Sequence, residues 1–177
     1  MKKSMRTILL VSLLGIPQLP GQSFAPTGTT TISVSVGAEA SISVTSSTTT
    51  LTGAAFANYT GTTNFLYKVR TSPATGAGAI TSQVTTDFSP ANGPSVASPP
   101  TAGDTLTYTC SAAAPATACS GTQTASTSAG TSVATFGADN RSTNAGNSGS
   151  VAWILTNDSQ YTAGSYSAVV TFTISAT

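Results

Sequence analysis

The sequence contains no histidine. No Ser-His-Asp or Cys-His relay can be assembled from it, and no zinc site with histidine ligands. Charge is nearly as scarce. Asp, Glu, Lys and Arg make up 6% of the 177 residues, against about 25% in an average soluble protein. Beyond the N-terminus no basic patch could release counterions from a phosphate backbone, so nucleic acid is not an expected partner. Helix periodicity is also lacking: no window repeats apolar residues every 3.6 positions, and Thr, Ser, Val and Gly disfavour helix. The apolar run ILLVSLLGI, residues 8–16, is far below the roughly 20 residues that span a bilayer.

That run is informative in another way. It follows Lys2, Lys3 and Arg6 and precedes two small-x-small exits, Gly21-Gln22-Ser23 and Ser23-Phe24-Ala25. Basic start, short apolar centre and small exit predict a secretory signal over residues 1–25. The expected location is therefore extracellular, with no membrane span after cleavage. The remaining chain keeps Lys68, Arg70 and Arg141 against Glu39, Asp87, Asp104, Asp139 and Asp158, a net charge of −2. Its surface must be built from Ser, Thr, Asn, Gly and Ala, and such a surface repels copies of itself weakly. In an exported chain, Cys110 and Cys119 are expected to form a disulfide.

The acidic residues offer little chemistry. A glycosidase needs two carboxylates flanking a sugar bond, but Asp87, Asp104, Asp139 and Asp158 sit in or beside predicted turns, where Asp bonds its own backbone. In GADNRSTNAGN, Asp139, Asn140, Asn144 and Asn147 have oxygens that suit calcium. They suit turn-making equally, and the spacing is not that of an EF-hand. No enzyme activity, cofactor or metal is expected. Trp153, flanked by Ala152 and Ile154, reads as core rather than as a sugar-stacking platform.

What the chain does have is period-2 alternation. NFLYKVRT (64–71), AITSQVTT (79–86), DTLTYTC (104–110), TSVATF (131–136), SVAWILT (150–156) and SYSAVVTFTIS (165–175) each set apolar residues on one face. Ile154 falls on the second face of its segment, which suggests burial on both sides. Turn sequences separate these runs at 72–78, 89–104, 112–117 and 137–149. Seven or more short strands with such turns predict an all-β, Ig-like antiparallel β-sandwich over residues 38–177. A closed barrel is the competing architecture.

The stretch TISVSVGAEASISV, residues 31–44, alternates for about twice the usual strand length. Two readings stand. Residues 31–36 and 38–44 belong to one sheet with Gly37 as a bulge, giving a self-complete secreted module that binds carbohydrate or matrix. Alternatively, residues 26–37 are an N-terminal extension donated to another molecule. TGTTTISVSV (27–36) is extended, alternating and proline-free, so Ile32, Val34 and Val36 would fill a neighbour's groove, and Gly37 would let the chain bend into its own domain.

TTTISVSVGAEASISVTSSTTTLTGAAFANY at the start and TAGSYSAVVTFTISA at the end resemble the terminal strands of spore coat protein U-like and archaic chaperone–usher pilin domains. The resemblance covers about 45 residues. It implies a pilus-like structural subunit that polymerises with copies of itself or related subunits by N-terminal donor-strand exchange. A periplasmic chaperone and an outer-membrane usher are the assembly partners it implies. It puts Ile32, Val34 and Val36 in the donor role, and Val170, Phe172 and Ile174 beside the acceptor groove. Members usually carry a cysteine early in the first domain strand, where ASISV has none.

Overall fold

Apolar residues alternating with hydroxyl-bearing ones give a sheet one dry face and one wet face, and here they form nine strands. The computed structural model describes residues 27–177, so the expected signal segment lies outside the described residues. One sheet contains β1 (Glu39–Val44), β2 (Tyr59–Arg70), β4 (Leu106–Ala112), β6 (Gln123–Thr124) and β8 (Asn147–Leu155), in the order β1-β2-β8-β4-β6. The other contains β3 (Gly78–Ser89), β5 (Thr117–Ala118), β7 (Thr131–Phe136) and β9 (Ser167–Ala176), in the order β5-β7-β3-β9. Every pairing is antiparallel. The described residues contain no helix. The fold is an all-β antiparallel sandwich.

Val36–Thr177 form one compact unit, and residues 27–35 belong to a separate one. No residue from 27 to 38 lies in a strand.

The inner faces meet in a single core. Phe65, Tyr67 and Val69 of β2, Ile80 and Val84 of β3, Leu106 and Tyr108 of β4, and Val151, Trp153 and Leu155 of β8 are all buried. Aromatic contacts knit it together: Tyr108 lies 5.0 Å from Trp153, and Phe65 lies 5.9 Å from Phe172, in the opposite sheet, between ring centroids. Such pairs add about 0.5–1.5 kcal/mol each beyond their buried area. Most of the buried polar groups are bonded, as burial demands; among the described residues Thr105 Oγ1 and Tyr161 Oη are buried without a partner. Trp153 Nε1 donates to Thr63 Oγ1 at 2.8 Å. Tyr108 Oη donates across the sandwich to Thr131 Oγ1 at 2.7 Å. Tyr67 Oη donates to the Ala113 carbonyl and accepts from Ala116 N–H, which pins the 112–117 turn to the core. Burial disfavours the tyrosinate and raises the Tyr67 pKa.

The sheet also runs further than alternation indicates. β2 begins at Tyr59, five residues before the alternating run, because Tyr59 through Thr63 pair with Val151 through Leu155 of the central strand β8. Ile154 is only half-buried, so β8 is buried on one face rather than two. Gly149 is required where it stands: a Cβ there would meet the Phe65 ring at 2.3 Å.

Candidate functional site: the seam between the first and last strands

A sandwich has two side seams, and here they differ. At one, β4 and β6 of the first sheet face β5 and β7 of the second. Cys110 on β4 is bonded to Cys119, the residue after β5, so the expected disulfide is present and ties one sheet to the other. Cys119 N–H donates to the Val133 carbonyl of β7, and the nearby Ala125 is buried. This seam is closed covalently.

The other seam lies between β1 and β9, the edge strands of the two sheets. Register fixes which of their side chains point inward. Ala40, Ile42 and Val44 stand opposite Val69, Tyr67 and Phe65. Val170, Phe172 and Ile174 stand opposite Val84, Ser82 and Ile80. All six partners are buried. The edge residues themselves are not. Ala40, Ile42, Ala168, Val170, Phe172, Ile174 and Ala176 are half-exposed, and Val44 is 39% exposed. No residue of either strand is fully buried. No backbone hydrogen bond joins β1 to β9, although their Cα atoms come within 8 Å. Both strands therefore present an unpaired backbone edge beside half-exposed apolar side chains.

The three predicted groove residues, Val170, Phe172 and Ile174, thus lie side by side on this seam. The predicted donor residues show the complementary property. Ile32 is 92% exposed, Val34 86% and Val36 61%, an unusual concentration of exposed aliphatics within five positions. Gly37 takes no left-handed backbone conformation, and a Cβ on it would meet nothing within 4 Å. Glycine's conformational freedom is therefore not what positions the chain here. Its carbonyl accepts from Arg70 Nε at 2.8 Å, while Arg70 Nη2 lies 3.0 Å from Glu39 Oε1. Arg70 clamps the chain where it enters β1. Alternation gives no hint of this role; the charge pair Glu39–Arg70 in opposed strands was the available signal.

The two long loops hold local networks. Asp87 accepts from Phe88 N–H, Ser95 Oγ–H, Val96 N–H and Ala97 N–H, which folds the 89–104 segment back on β3. Burial pushes the Asp87 pKa up, but the four hydrogen bonds outweigh it and the net shift is downward. In the 137–149 loop, Asn140 Oδ1 accepts from Gly137 N–H and Asn147 Oδ1 from Thr143 N–H, while Asp139 pairs with Arg141. These oxygens serve the turn itself.

Compared with protein-family models, curated proteins and solved structures, the chain matches none of them.

Proposed function

We propose that this protein is a structural subunit of an extracellular, pilus-like filament, and that residues 27–36 of one copy fill the β1–β9 seam of the next. The supporting observation is the asymmetry of the two seams: one is stapled by a disulfide, and the other leaves core-facing apolar side chains half-exposed on two unpaired edges. A donated strand satisfies both deficits at once. Its N–H and C=O groups complete the ladders of β1 and β9, and Ile32, Val34 and Val36 cover the open side of the core. Burying three such side chains stabilises the junction by roughly 5–9 kcal/mol. An inserted strand needs its two neighbours about 9.5 Å apart, twice the strand spacing, and β1 and β9 approach within 8 Å, so insertion requires the seam to widen. Export through the periplasm, and a chaperone that covers the seam before assembly, belong to the same reading.

A second reading is supported by one observation: the approach of β1 to β9 within 8 Å leaves the seam narrow in a single copy. On that reading the chain is a self-complete secreted module that binds carbohydrate or matrix, and it remains a monomer.

The substitution Val34→Asp separates the two. Donation predicts loss of polymer with a folded monomer remaining, because an aspartate cannot be buried in an apolar groove without a partner. Polymer formation at the native level, or a monomer that unfolds, contradicts donation.

A further inference from the structure

The few charges of this protein are sorted by position. Among the described residues the cations are Lys68, Arg70 and Arg141, and all three line one shallow pocket near the end of β2 and the start of β1. Glu39 pairs with Arg70, and Asp139 with Arg141. Lys68 has no acidic partner within 4 Å among the described residues. Three cations against two acids leave this pole at +1.

The other three acids lie at the opposite pole. Tyr59 opens β2 and Arg70 closes it, so the two ends of this 12-residue strand are roughly 36 Å apart. Asp104 and Asp158 flank Tyr161 near Tyr59, and burial together with these carboxylates raises the Tyr161 pKa. Asp87 sits near the end of β3, where Ser89 pairs with Ser167 at the start of β9. The loops that carry these acids touch: Asp158 accepts from Thr101 Oγ1, and Thr162 N–H donates to the Asn92 carbonyl. All the hydrogen-bond donors to Asp87 and Asp158 are uncharged, and no cation lies within 4 Å of Asp87, Asp104 or Asp158 among the described residues. This pole carries −3.

We propose that successive copies meet pole to pole, the Lys68–Arg70–Arg141 end of the donor copy docking on the Asp87–Asp104–Asp158 end of the acceptor, and that this charge match sets the direction of the donated strand. The inference rests on the donor-strand reading above. β1 and β9 run in opposite directions, so a strand between them is antiparallel to one and parallel to the other. The donor segment ends at Gly37, which Arg70 holds at the basic pole of its own copy. A donor antiparallel to β9 leaves the acceptor where β9 begins, at the acidic pole, and opposite charges meet. A donor antiparallel to β1 leaves at the basic pole, and like charges meet. The ladder favours the same direction. β9 has 10 residues and β1 has 6, and antiparallel pairing is the slightly more stable kind per residue. The contact is heterologous and head-to-tail, which propagates instead of closing into a pair.

The test is the initial polymerisation rate of the exported full chain, followed by light scattering at low salt and at about 1 M salt, where the Debye length falls to roughly 3 Å. Four forms are compared: native, Lys68→Glu/Arg141→Glu, Asp104→Lys/Asp158→Lys, and all four changes together. The native rate is expected to fall about tenfold at high salt, and each pair to slow assembly about tenfold at low salt. The fourfold variant should recover the native rate. Should the acidic-pole pair fail to fold, Asp104→Lys alone replaces it, since that carboxylate holds no hydrogen bond among the described residues. Pole reversals that assemble at the native rate at low salt, or a fourfold variant no faster than either pair, overturn the pole match and leave donation standing. A native chain that forms no polymer at any salt overturns both.

Discussion

Val44 stands directly opposite Phe65 in the β1–β2 ladder, on the same inner face, yet Phe65 is 1% exposed and Val44 39%. Both side chains are apolar and point into the sandwich. The difference is what lies on their far sides. Phe65 has β8 beyond it, with Gly149 opened out to receive its ring. Val44 has no paired strand beyond it. The same contrast separates Ile80 on β3, fully buried, from Ile174 on β9, its half-buried cross-strand partner. Within this one unit, a core that is dry in the middle becomes half-exposed along the β1–β9 edge.

The disulfide should stabilise the unit without taking part in assembly, because it lies on the closed seam. Cys110→Ser removes a cross-link with a sequence separation of 9. The chain-entropy model gives about 2.7 kcal/mol for a loop of that size, a loss of roughly 5–10 °C in melting temperature for a unit this large. Polymer yield below that melting temperature should match the native protein. Lost polymer with unchanged melting would refute this division of roles.

Asp87 organises the 89–104 loop through its charge. Its folded pKa is lowered, with the penalty of burial outweighed by four hydrogen bonds. A depressed carboxylate stabilises the fold fully above its unfolded pKa, near 3.9, and this stability is lost as pH falls through the lower folded value. Melting temperature should therefore be flat for this group from about pH 5 upward and drop below about pH 4. Asp87→Asn should cost roughly 1–3 kcal/mol at neutral pH, because one amide oxygen cannot accept what two carboxylate oxygens accept. The gap between the two proteins should shrink at pH values acid enough to protonate the native group. A gap that persists unchanged there would assign the role to shape instead of charge.

The fold was largely legible in the sequence because period-2 alternation is a direct image of a half-buried sheet. Phe65, Tyr67 and Val69 alternate in sequence and are buried together in β2, and Val151, Trp153 and Leu155 do the same in β8. β5 and β6 were not legible. Each is two residues long, too short for any period, and each exists only because β7 or β4 offers it an edge. The Arg70 clamp on Gly37 and Glu39 spans 33 positions to Gly37, and no local pattern encodes a contact of that reach. The open seam has a subtler reason for being hidden. The alternation of β9 is as regular as that of a covered strand, and only the sheet order reveals that no strand follows it at the edge.

Donation requires that residues 27–36 enter the seam of another copy, and a covalent trap reads this directly. The chain carrying both Val34→Cys and Val170→Cys is exported and oxidised, with Val34→Cys/Ile174→Cys covering the neighbouring register and Val34→Cys/Thr171→Cys, whose second thiol faces outward, as the control. Denaturing electrophoresis without reductant then reports which thiols met. Donation predicts a ladder of covalent multimers from at least one inward pair, absent from the outward control and collapsed to monomer by reductant. A monomer whose new bridge is internal would show that the strand stays with its own chain, and would contradict the filament.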